Sequence, residues 1–90
     1  MTIAQHIEEN KFLPLDEIAY GICMILANKA FKPFGLERED ADGKTITLAN
    51  GNVKAESIVM ADGYSVFVEV EMKGKKIVNK FISKVNKYID

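Results

Sequence analysis

The stretch Asp62-Gly63-Tyr64-Ser65-Val66-Phe67-Val68-Glu69-Val70-Glu71-Met72 decides how the rest of the chain is read. Val66, Val68, Val70 and Met72 alternate with Ser65, Phe67, Glu69 and Glu71, the period of two of a strand that buries one face and wets the other. Asp62-Gly63 just ahead of it supplies the positive-φ residues that a tight hairpin needs. Similar punctuation recurs at Asp42-Gly43, Asn50-Gly51 and Gly74, so strands are expected near residues 35–39, 44–49, 53–60 and 64–72. Connections this short force antiparallel neighbours, hence a meander.

Toward the N-terminus the period lengthens. Thr2 and Gln5 are spaced as a capping box, and Ile3 and Ile7 follow at helical spacing, which predicts a short helix over about residues 2–11. Pro14 at a helix start, Asp16 and Glu17 in a first turn, Lys29 and Lys32 in a last turn, and Pro33 and Gly35 just beyond predict a second helix over residues 15–32. From Lys76 onward Ile77, Val78, Phe81, Ile82, Val85, Tyr88 and Ile89 cover an arc of roughly 140° at helical spacing, which predicts a C-terminal amphipathic helix. The expected fold class is α+β: two N-terminal helices, a four-stranded antiparallel meander and a C-terminal helix, with helices on one sheet face, in a single domain of residues 1–90.

Composition narrows the function classes. Hydrophobic residues make up 48% and charged residues 28% of the chain, the balance of a folding domain rather than a disordered one. One cysteine, Cys23, makes no intramolecular disulfide, and the start lacks the basic and apolar regions of a secretory signal; a cytoplasmic location is expected. The longest mainly apolar stretch, Ile18 to Ala27, is about half a bilayer span, so no membrane association is expected. The formal net charge of −1 conceals a division. Residues 1–72 carry six basic and twelve acidic side chains, whereas residues 73–90 carry six lysines and Asp90 alone. Such a division suits a basic arm for an acidic partner, or a tail docked on the chain's own acidic body.

Motifs with chemical content are sparse. Gly43-Lys44-Thr45 matches the end of a phosphate-binding loop, but Arg38 stands where that loop needs its first glycine, and a strand rather than a helix is expected to follow. Asp40 and Asp42 before Gly43 resemble part of a calcium loop, yet Arg38 and Ala49 occupy the positions of the first ligand and the bidentate glutamate. His6 and Cys23 are the sole imidazole and thiol, too few for a zinc site, and Cys23 falls on the most apolar arc of the second helix, where a thiol is an inert small hydrophobe. Glu69 and Glu71 share a strand face with Phe67 and form the carboxylate pair worth locating in three dimensions. No catalytic residue, metal ligand or cofactor is expected, and the chain reads as a non-enzyme.

Two surfaces stand out instead. Besides its main apolar arc, the second helix carries Tyr20, Met24, Ala27 and Phe31 as a second stripe roughly 150° away, so it must be covered on two sides. The second cover is either the chain's own elements, or a second copy or another protein, and Tyr, Met and Phe are favoured at interfaces. In the tail, Lys76, Lys80, Lys84 and Lys87 would line one side of the expected helix. A solvated face, a protein partner or nucleic-acid phosphates fit such a stripe, though Arg38 is the only arginine for bidentate recognition. The expectation is a small binding or regulatory protein acting through protein–protein contacts, an inhibitor or complex subunit, with self-association as a homodimer. The alternatives are a nucleic-acid-binding protein using the lysine-rich tail, and a small-ligand carrier with a pocket between the second helix and the sheet.

Overall fold

The computed structural model describes residues 2–87. Helix α1 spans Ile3–Glu9, and its capping box forms: Gln5 N–H donates to Thr2 Oγ1 at 3.1 Å and Thr2 N–H donates to Gln5 Oε1 at 2.9 Å. Helix α2 spans Leu15–Phe31, opened by Pro14 and by Asp16 and Glu17 in its first turn, and closed through a short 3₁₀ turn at Lys32–Phe34 with Gly35 at φ 67°. Five strand segments follow: β1 (Asp40–Thr47), β2 (Val53–Ala61), β3 (Tyr64–Lys73), β4 (Lys76–Ile82) and β5 (Asn86–Lys87). They form one antiparallel sheet in the order β1-β2-β3-β4, with β5 continuing along the same edge of β3 as β4. The class is α+β, as the sequence indicates.

Alternation in β2 and β3 sets the layers. Val53, Ala55, Ser57, Val59 and Ala61 of β2 and Val66, Val68, Val70 and Met72 of β3 point to one face and are buried. Helix α2 lies on that face, burying Ile18, Ala19, Ile22, Cys23, Met24, Leu26, Ala27 and Phe31. Each fully buried Ile, Val, Phe or Met side chain here contributes about 1.5–3 kcal/mol of transfer free energy. Two hairpins follow the sequence signals. Asp62 (φ 45°) and Gly63 (φ 84°) join β2 to β3 in two residues, and Gly74 (φ 57°) with Lys75 joins β3 to β4.

Several expectations are corrected, beginning with the sheet, which has more strands than the four expected. The described tail is not helical: residues 76–82 form β4, and residues 86–87 form β5. Tyr88 and Ile89, counted in the expected helix, lie outside the described residues. Ile77, Val78, Phe81 and Ile82 satisfy helical spacing and also suit a strand with one extra residue. Met72 pairs with Ile77 and Glu71 with Asn79, which leaves Val78 as a bulge. The unpaired edge of β3, delivered by the Gly74 turn, is the tertiary partner that decides between the two; β-branched residues favour the same outcome. The expected strand at 35–39 is irregular, and Asp42-Gly43, read as a turn, sits inside β1 opposite Ile58 and Ser57. A Cβ on Gly43 would fall 2.2 Å from Tyr20 Cε1, so the Tyr20 ring lies directly on the strand backbone. Glycine is there for close approach, not for turning. Finally, three of the four stripe residues of helix 2, Met24, Ala27 and Phe31, lie in the core. Met24 is 8% exposed and Phe31 0%, while Tyr20 is half-buried over β1. A twisted sheet flanks α2 widely enough to cover both stripes within one chain.

Candidate interaction surface

With both helices on one side, the opposite face of the sheet has no covering layer among the described residues. Paired positions across β1, β2, β3 and β4 place Asp42, Ile58 and Phe67 in one row, and Glu56, Glu69 and Phe81 in the next. Ile58 and Phe81 are 47% and 52% exposed, and the Phe67 and Phe81 rings meet with centroids 6.1 Å apart at 51°. Large apolar side chains grouped on an uncovered sheet face are the feature that marks docking sites. Asp42, Gly43, Glu56, Ile58 and Phe67 border a shallow concavity of about 390 Å³ there.

A charged network flanks this apolar group. Glu56 and Glu69 are direct cross-strand partners, a repulsive arrangement by itself. Lys54 resolves it by reaching both carboxylates at 3.1 Å. Hydrogen bonds that the Lys54 ammonium donates, first to Glu69 and then to Glu56, raise it above its ordinary pKa. Glu71, the other member of the anticipated carboxylate pair, accepts instead from Asn52 Nδ2 at 3.0 Å. Each of the three glutamates is therefore engaged by a structural partner, Lys54 serving two of them and Asn52 the third.

The remaining candidates are placed as follows. Cys23 is buried and its thiol is directed at the Ala55 carbonyl, 3.6 Å away. Burial foremost, and then the charge of Glu69, push the thiol up to about 12. His6 joins the helices. Its Nε2 lies 3.2 Å from the Ile18 carbonyl and its Nδ1 3.2 Å from Asn10 Nδ2, which assigns Nε2–H as donor to Ile18 and Nδ1 as acceptor. The ring rests where a Cβ on Gly21 would stand, 2.3 Å from Cε1. Histidine and cysteine are thus bonded to separate backbone carbonyls. The space between α2 and the sheet, where a ligand pocket is one sequence expectation, is filled by side chains 0–8% exposed. Among the described residues no three His, Cys, Asp or Glu form an array able to hold a metal ion, and no helix is long and apolar enough to cross a membrane.

The four tail lysines are exposed but do not form a stripe. Lys76 pairs with Lys73 on the open face, whereas Lys80 pairs with Val70 and Lys87 with Tyr64, so both point to the helix side. Ser83 carries the pairing between β4 and β5, donating its N–H to Phe67 O and accepting Phe67 N–H at Oγ, each at 2.9 Å. Sequence reasoning does not single out Ile58, and it assigns Phe81 to the apolar arc of a helix. The signal for Ile58 was present: it interrupts the polar alternation of Lys54 and Glu56 on β2. Phe81 became visible only once the tail was a strand.

No protein-family model matches the chain, and no curated protein or solved structure shows significant similarity to it. Fold and surface define a class only: a two-layer α+β domain with one sheet face uncovered.

Proposed function

We propose that this chain is a non-enzymatic binding protein that works in a reducing compartment by laying the open face of its sheet on a protein partner. The observation carrying this reading is the group of exposed Ile58 and Phe81 with half-buried Phe67 on a face that no helix covers among the described residues. Aromatic and aliphatic anchors ringed by polar groups are the composition of interface hot spots. The test is affinity capture from the native lysate with the wild type and with Ile58→Asp and Phe81→Asp, each checked by circular dichroism. A partner retained by the wild type and lost by both folded variants supports the reading; identical capture by all three overturns it.

One observation favours a second reading, nucleic-acid binding: residues 73–87 carry six lysines and no acidic residue. Against it, Asp42, Glu56, Glu69 and Glu71 share the open face with the two phenylalanines on which bases would stack. Salt titration separates the two readings. Phosphate contacts lower log K by about 0.7–0.9 per log unit of salt for each contact, and an apolar protein interface does not follow that law.

A further inference from the structure

We infer that a second copy of this chain docks edge to edge, the β1 edge of one molecule pairing with the β4 edge of the next to continue the sheet. This inference does not depend on the open-face reading, because it uses the two rims of the sheet rather than its face. The charge division of the sequence becomes spatial in the fold. Glu37, Glu39, Asp40 and Asp42, opposed by Arg38 and Lys44, lead into and along β1, whereas Lys73, Lys75, Lys76, Lys80, Lys84 and Lys87 lie at or beside β4 and β5. These are opposite rims, with β2 and β3 between them. At about 4.8 Å per strand the rims are roughly 14 Å apart, too far for the tail to dock on its own acidic segment. Among the described residues no ion pair joins them. Between copies the same attraction can act.

Strand direction permits it without any rotation. In a meander of four strands the first and last run oppositely, so a copy shifted sideways in the plane of the sheet sets its β1 antiparallel to the first copy's β4. Both rims offer backbone hydrogen-bonding groups with no strand partner among the described residues. On β4, Val78 (47% exposed) and Ile82 (38% exposed) also present apolar surface that such a neighbour would cover. Like charge at each rim opposes β1–β1 and β4–β4 pairing, which leaves the heterologous contact as the attractive one. A contact of this kind repeats rather than closing as a dimer, so assembly grows with concentration. The formal net charge of −1 puts little overall repulsion in its way.

Sedimentation velocity of the full chain tests this. The weight-average mass should rise with concentration at low ionic strength, and the association constant should fall roughly tenfold or more between 50 mM and 500 mM salt as the Debye length shortens. Lys73→Glu/Lys75→Glu/Lys76→Glu/Lys80→Glu, which turns the β4 rim net acidic, and Asp40→Lys/Asp42→Lys, which turns the β1 rim net basic, should each sediment as monomers. An equimolar mixture of the two should assemble again, because each acidic rim then meets a basic one. A wild type that stays monomeric at low salt overturns the proposal. So does association that survives both sets of substitutions, or a mixture that stays monomeric. If either variant fails to fold, the wild-type salt dependence decides alone: assembly indifferent to salt refutes the edge contact.

Discussion

Glycine 43 shows how one residue's meaning changes with its surroundings. Preceded by Asp42 it has the chemistry of a turn, yet it is a strand residue whose missing side chain admits the Tyr20 ring onto the backbone. Gly43→Ala should therefore lower stability by about 1–3 kcal/mol, the usual cost of overpacking, in urea unfolding. Combined with Tyr20→Leu the loss should be smaller than the sum of the two single losses, since the clash is shared. Cys23 gives a second test. Its thiol is raised from 9.0 to about 12, chiefly by burial. Because the folded value lies above the unfolded one, the thiol's contribution is fully present below pH 9.0 and is lost as the pH rises toward about 12. The urea midpoint should fall above pH 9, more steeply in the wild type than in Cys23→Ala, and thiol reagents should label Cys23 only as the chain unfolds.

Among the elements, α1 is the least secured, being seven residues long with no buried side chain. It is attached by Ile3 and Ile7, half-buried against the core, and by the His6 ring seated on Gly21 and bonded to the Ile18 carbonyl. His6→Ala should cost about 1 kcal/mol for the lost hydrogen bond, and hydrogen exchange should locate the change in the amides of residues 3–9, with α2 and the sheet still protected. The β2–β3 pair depends on a cation in a comparable way. Lys54→Met leaves Glu56 and Glu69 facing each other as like charges, so the melting temperature should drop at low salt and recover part of the loss in 1 M salt. The raised Lys54 pKa has the same sign consequence as that of Cys23: its stabilisation holds at neutral pH and is lost under strongly alkaline conditions.

On the scale of the molecule, the two faces and two rims of one sheet differ in composition. One face carries α2 and the core; the other is uncovered and amphipathic; β1 and β4 form rims of opposite charge. β3 is the strand on which this arrangement rests, pairing with β2 along one side and with β4, Ser83 and β5 along the other. A chain ending at Gly74 should leave β3 as a long apolar edge beside a half-open core, and light scattering should show it aggregating while the full-length chain stays dispersed at high salt. Solution NMR of the full chain should give extended chemical shifts over residues 76–82; helical shifts there would remove β4 and both rim arguments with it.

The sequence by itself determined what is local. Thr2 and Gln5 cap α1, Pro14 and the first-turn acids open α2, Asp62-Gly63 makes the hairpin, and alternation in β3 assigns its core and open faces. These features depend on neighbours a few residues away, so they can be read in one dimension. Only the tertiary structure decided the rest. Whether Ile77, Val78, Phe81 and Ile82 coil or extend depends on the free edge of β3 offering hydrogen bonds. Whether Tyr20, Met24 and Phe31 meet a partner or the core depends on how far a twisted sheet reaches around α2. Phe81 joined Phe67 on the open face, and the lysines divided between two faces, once strand pairing replaced helical spacing. The physical reason is that a strand, unlike a helix, makes none of its own backbone hydrogen bonds, so its existence and its facing belong to the neighbour that supplies them.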